Sequence, residues 1–108
     1  MHSQPPTTDD MQAIRAEIDE IDRSMVDLIA RRLDLAMAMG RQKAAAGIAL
    51  HAPLRERRVI EAAAARAREA GVDERYVRLL YRLVVEHSRS AQRRAAESWA
   101  PAGAAVLG

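Results

Sequence analysis

Lys43 is the only lysine in a chain whose other sixteen basic residues are all arginine. It lies eleven residues after Arg32, which interrupts an otherwise apolar run, Ile14, Ile18, Ile21, Met25, Leu28, Leu35 and Met39. At about 100° per residue, eleven steps return to nearly the same helix face, so one face carries two cations about 16 Å apart. A guanidinium in an apolar stripe is costly unless something pairs it. Two long cationic side chains leaning inward could clamp a small anion between them. A second pair, Ser88 and Gln92, interrupts a later apolar stripe at i, i+4 spacing, and both can donate hydrogen bonds. Arg55 and Glu56 open a further helical stretch, where an arginine opposes the helix dipole and is an unfavoured placement. Any one of these, taken singly, reads more readily as a snorkelling chain or a satisfied core polar group. Their convergence on core-facing sides of three helices points instead to a small, positively charged pocket. Its fitting ligand is a compact dianion with an apolar middle. By contrast Arg57, Arg58, Arg66, Arg68, Arg93 and Arg94 read as solvated surface.

The elements that must position these groups are helical. The chain has 108 residues, enough for one small domain. Hydrophobic residues make up 49%, but alanine dominates them and phenylalanine is absent, a vocabulary that favours helices over strands. The fold class expected is all-α, with three helices per chain. Residues 1–10 read as a disordered lead, 11–98 as the helical domain and 99–108 as a flexible tail. Asp9 or Asp10 can cap the first helix, with Gln12 as a loose capping-box partner. The first helix is expected over 11–46, with Gly47 as its stop. A loop follows over 47–53, and Pro53 suits the first turn of a second helix that runs to about 69. Gly71 ends that helix. Asp73 caps a third, with Tyr76, Val77, Leu80, Val84, Ala91 and Ala95 on one face, fading near Glu97.

A helix over 11–46 is about 54 Å long, whereas a compact domain of this size has a radius of gyration of roughly 13 Å. Something must pack along it, and a second copy of the chain is the simplest occupant. Arg15 gives the same indication. It stands about 25 Å from Arg32 along the helix axis, too far for one small ligand to touch both from a single chain. If it contributes, it comes from an antiparallel partner helix.

Several classes are disfavoured. No run approaches a membrane span, and the start of the chain has no apolar signal core. With no cysteine there is no disulfide or thiolate metal site, which suits a reducing, cytoplasmic setting. A net charge of +2, scattered over all three helices, does not argue for nucleic acid. A helical dimerisation or adaptor module would explain the long seam but leaves Arg32, Ser88 and Gln92 on core faces unexplained.

The residues resemble the all-helical class of chorismate mutases over Ile14 to Arg94. The matching pieces are Ile14-Arg15-Ala16-Glu17-Ile18-Asp19, Ile21-Asp22, Leu28-Ile29-Ala30-Arg31-Arg32, Gly40-Arg41-Gln42-Lys43, Pro53-Leu54-Arg55-Glu56-Arg57, and Glu86-His87-Ser88 through Gln92. The family's active-site pattern is filled in order by Arg15, Arg32, Lys43, Arg55, Glu56, Ser88 and Gln92. The resemblance implies an intertwined helical homodimer with two sites, each completed by Arg15 of the partner subunit. It implies rearrangement of chorismate, a dianion, to prephenate in aromatic amino-acid biosynthesis, without cofactor or metal. Lys43, Gln92 and Arg32 would be catalytic, and these three would bind substrate together with Arg15, Arg55, Glu56 and Ser88. Ala52 stands where some members carry an acidic residue, which leaves Glu56 to hold the ring hydroxyl with backbone help. Isochorismate pyruvate-lyases and mutases of 4-amino-4-deoxychorismate resemble the same scaffold. Standalone members sometimes depend on the preceding pathway enzyme, and the tail from Pro101 to Gly108 could serve such a contact.

Overall fold

The computed structural model describes residues 7–99, and these form three helices, α1 (Thr8–Ala46), α2 (Pro53–Ala70) and α3 (Glu74–Ser98). There is no strand among the described residues. The expected lead up to residue 6 and the tail from residue 100 lie outside them.

Helix α1 begins three residues earlier than its expected start because its cap is Thr7 and not Asp9 or Asp10. The Thr7 Oγ1 accepts from the Asp10 backbone N–H at 3.1 Å, and the Asp10 carboxylate accepts from the Thr7 N–H at 3.1 Å. This reciprocal pair satisfies two backbone donors that the helix start would otherwise leave open. Asp9 and Asp10 also place negative charge in the first turn, where the helix dipole favours it.

The described residues fall into two units, one up to Arg32 and one from Leu33 onward. In the first, the apolar seam of α1 is solvent-exposed, from Met25 at 48% to Leu28 at 65%. In the second, α2 and α3 pack side by side, and α1 reaches α3 at Gly40. The buried residues there are Ala36 and Gly40 of α1, Ala64 and Ala67 of α2, and Val85, Ser88, Ala91 and Ala95 of α3. Small residues let helix backbones approach closely, but they bury little. Five alanine methyls contribute about 4 kcal/mol at the usual value per buried carbon. No large side chain is fully buried among the described residues. On α3 the buried face includes the expected Ala91 and Ala95, but its apolar centre is Val85. Tyr76 and Leu80, expected inward, are exposed.

Turns hold the second unit in register. Helix α1 ends where Gly47 takes a positive φ of 69°, and the Ile48 N–H then bonds back to the Lys43 carbonyl at 2.9 Å. Pro53 opens α2, whose cap position, Ala52, supplies no side-chain bond. Asp73 caps α3 as expected, its carboxylate accepting from the Arg75 N–H at 2.9 Å.

Candidate functional site

Two polar pairs lie together where the end of α1, the following loop, the start of α2 and the later turns of α3 converge. The first is Lys43 with Gln92. The Lys43 ammonium donates to Gln92 Oε1 at 3.2 Å and to the Leu50 carbonyl at 3.2 Å. Both side chains are half-buried. The close approach of Gly40 to the Gln92 backbone brings them within reach: a Cβ built on Gly40 would stand 2.8 Å from the Gln92 Cα. Lys43 then sits just under one turn further along the same helix.

This pairing fixes the orientation of the glutamine amide. An ammonium can only donate, so it selects the carbonyl oxygen of Gln92 and repels the NH2 group. That leaves the amide's two N–H donors for other acceptors. Lys43 and Gln92 together therefore present one cationic and one neutral donor from hydrogen-bonded side chains, an arrangement suited to an oxygen that gains negative charge.

The second pair joins α2 to α3. Arg89 grips Glu56 in a bidentate fork, Nε to Oε1 at 2.8 Å and Nη2 to Oε2 at 2.7 Å. The Glu56 side chain is 20% exposed and that of Arg89 34%. The Arg89 fork, opposed by partial burial and helped by the charges of Arg89, His51 and Lys43, holds the Glu56 carboxyl below the ordinary carboxylate range. Arg89 is correspondingly harder to deprotonate than a free guanidinium, chiefly through its hydrogen bonds to Glu56. Glu56 is thus an ionised acceptor at neutral pH, with a lone pair left on each oxygen.

Of the expected site residues, the structure brings together Lys43 and Gln92, with Glu56 close enough to feel the Lys43 charge. Ser88 is buried one turn before Gln92 and has a polar partner. Arg55 is exposed in the first turn of α2. Arg15 and Arg32 belong to the first unit, Arg15 exposed and Arg32 half-buried and engaged with a partner. The arginines read as solvated, Arg57, Arg58, Arg66, Arg68, Arg93 and Arg94, are all exposed.

Sequence reasoning missed Arg89. It lies about 60° round the helix from Gln92, at the margin of the polar stripe. The available signal was Glu56 itself, an acid in a cation-rich site that needs a partner. With sixteen arginines in the chain, nothing in the sequence singled out which one. Among the described residues no group of histidine, cysteine, aspartate and glutamate side chains could hold a metal ion. No described helix is long and apolar enough to cross a membrane.

Comparison with known proteins bears on the same residues. The family described as chorismate mutase type II matches residues 14–93, which include all seven expected site positions. A 4-amino-4-deoxychorismate mutase of Streptomyces venezuelae is 33% identical over 76 residues, 70% of this chain and 74% of that protein. A chorismate mutase of Methanocaldococcus jannaschii is 32% identical over 80 residues, 74% of this chain and 81% of that protein. The T-protein of Haemophilus influenzae is 36% identical over 62 residues, 57% of this chain, and the match spans only 16% of that larger protein. A family match over residues 14–93, with two mutases similar over about three quarters or more of their own length, identifies the chain: it belongs to the type II chorismate mutase family and is an isomerase.

Proposed function

We propose that the chain rearranges chorismate to prephenate, as an intertwined homodimer working in the cytoplasm, at the branch that leads to phenylalanine and tyrosine. The observation that carries this reading is the Lys43–Gln92 pair, in which the ammonium donates to Gln92 Oε1 at 3.2 Å and leaves the amide N–H donors free for a ligand. The rearrangement is a concerted pericyclic shift in which one carbon–oxygen bond breaks as a carbon–carbon bond forms. It requires no nucleophile and no proton transfer. What it requires is a folded substrate and a place for the negative charge that grows on the ether oxygen.

Lys43 and the Gln92 amide meet that oxygen. Donors aimed in advance at developing charge commonly contribute about 3–4 kcal/mol each when judged by removal. Selection of the folded conformer falls to the arginines. The sequence pattern gives the two substrate carboxylates to Arg32 and to Arg15 of the partner subunit, with Arg55 and Ser88 in support. The planar guanidinium fork suits bidentate carboxylate binding, and fixed carboxylates hold the reacting atoms near attack geometry. Glu56, ionised and clamped by Arg89, accepts from the ring hydroxyl.

The dimer is supported by what a single chain leaves uncovered. Ile14, Ile18, Ile21, Met25, Leu28, Leu35 and Met39 are all about half exposed or more. An apolar stripe of that length beside an alanine core calls for a partner surface. Covering it with a second copy also delivers Arg15 where one chain cannot.

The names of two relatives favour a second reading on the same scaffold, a mutase of 4-amino-4-deoxychorismate. Isochorismate pyruvate-lyase activity is the third, and Glu56 argues against it because isochorismate lacks the C4 donor. Purified protein incubated separately with the three substrates decides among them. Loss of chorismate absorbance with prephenate formed is the expected result. Turnover of none of the three would end the proposal.

A further inference from the structure

The end of the site around Glu56 carries more positive charge than a single carboxylate can answer. Both Glu56 oxygens are taken by Arg89, at 2.8 and 2.7 Å. The Lys43 ammonium of α1 also acts on Glu56 through its charge. Glu86, exposed on the same helix as Arg89, is a further acidic neighbour of that guanidinium. A group that approaches Glu56 therefore meets a neutralised ion pair backed by an ammonium, and not a lone anion. A hydroxyl needs only one remaining lone pair to donate into. An alkylammonium would gain the same hydrogen bond but would enter a field that is already cationic, and juxtaposed like charges discriminate strongly.

We propose that Arg89 is a positioning residue that sets substrate choice. By pairing both oxygens of Glu56 it makes that corner accept a neutral hydroxyl on the substrate ring in preference to an ammonium. The inference rests on the mutase reading above and deepens it, since the two candidate substrates differ in this substituent.

The test measures kcat/KM for chorismate and for 4-amino-4-deoxychorismate on each of four proteins: the wild type, Arg89→Gln, Arg89→Met and Arg89→Lys. Gln keeps a donor to Glu56 and removes the charge, whereas Lys keeps the charge. Both substrates are read on one preparation, so their ratio does not depend on what fraction of a variant is folded. Arg89→Met, of similar length, serves as a second uncharged variant. The expected result is a wild-type preference for chorismate that moves toward the amine by about tenfold or more in Arg89→Gln and stays near wild type in Arg89→Lys. The acid limb of the Arg89→Gln profile should also move to higher pH, because Glu56 loses the group that keeps it ionised. A ratio and an acid limb unchanged in Arg89→Gln, with the wild type active, would overturn the role of Arg89 alone. A wild type that turns over neither substrate would overturn the mutase reading and this inference with it.

Discussion

Gly40 and Gln92 meet backbone to backbone: a Cβ on Gly40 would fall on the Gln92 carbonyl oxygen and stand 2.8 Å from its Cα. The absence of a side chain at one position of α1 thus sets how closely α3 can lie, and with it the reach of Lys43 to the Gln92 amide. In an isolated helix Gly40→Ala would gain about 1 kcal/mol. Here the methyl group collides with backbone, which cannot rotate away, and overpacking of this kind commonly costs about 1–3 kcal/mol. The expected result is a lower urea midpoint than wild type, together with a rate at least about tenfold lower as the donor pair separates. Denaturant melts and steady-state kinetics on Gly40→Ala check both. Wild-type activity in a stable Gly40→Ala protein would show that the helix spacing does not govern the pair.

The pair itself gives a coupling prediction. Lys43→Ala, Gln92→Ala and Arg32→Ala should each lose at least about 100-fold in rate, near 2.7 kcal/mol. Lys43 holds the Gln92 carbonyl and so aims its amide, which means that removing Lys43 also disorders Gln92. The double variant should therefore lose much less than the product of the two single losses. Fully multiplicative losses would mean that the two donors act independently and that the hydrogen bond between them has no part in catalysis.

The parts of this arrangement that the sequence shows are those governed by local chemistry. Gly47, Pro53, Gly71 and Asp73 mark helix ends by backbone rules, and they mark them correctly here. Gln92 stands out because a polar group interrupts an apolar period, and Lys43 because it is the only lysine and shares a helix face with Arg32. Arg89 does not stand out, since its function depends on which of sixteen arginines faces Glu56, a matter of how α2 and α3 are rotated against each other. The inward rotation of α3 toward Val85, with Tyr76 and Leu80 turned outward, has the same origin. Alanine-lined helices have weak apolar faces, and close packing decides their rotation where hydrophobic pattern is nearly silent. Thr7 does not stand out as the α1 cap because the two aspartates that follow Thr8 are equally good caps on composition alone.

The clamp on Glu56 predicts an acid-dependent stability. Its folded pKa lies below the ordinary 4.5, chiefly through the Arg89 hydrogen bonds. A carboxyl with a depressed folded pKa stabilises the fold fully above its unfolded value, and that contribution is lost as pH falls through the folded value. Glu61, held by Arg78, and Asp10, held by Thr7, shift in the same direction. The wild type should therefore lose stability as the pH falls below about 4.5. Glu56→Gln, with no proton to take up, should lose less over the same interval, so the gap between the two proteins narrows toward low pH. Thermal melts of both proteins from neutral pH down to pH 3 check this. A gap that stays constant would show that the Arg89–Glu56 fork has no net effect on folding.

The dimer can be tested through the site it is proposed to complete. If Arg15 acts across the subunit boundary, Arg15→Ala and Lys43→Ala chains are each nearly inactive alone, because every site lacks one group. Unfolded together in equal amounts and refolded, half the dimers formed would be mixed. Each mixed dimer holds one site with both groups intact and one with neither. Activity should then return to about a quarter of the wild-type level per site, a figure set by two-fold symmetry alone. Refolding either variant by itself serves as the control and should recover nothing. Were Arg15 to act within its own chain, every site in the mixture would still lack one group and activity would not rise. Sedimentation of the wild type should at the same time give a particle of twice the 11.9 kDa chain mass. Its melting temperature should rise with protein concentration, as it must when folding and association are linked. A dimer without complementation would keep the exposed seam of α1 as an interface and remove Arg15 from the chemistry, whereas complementation places both in a single structure.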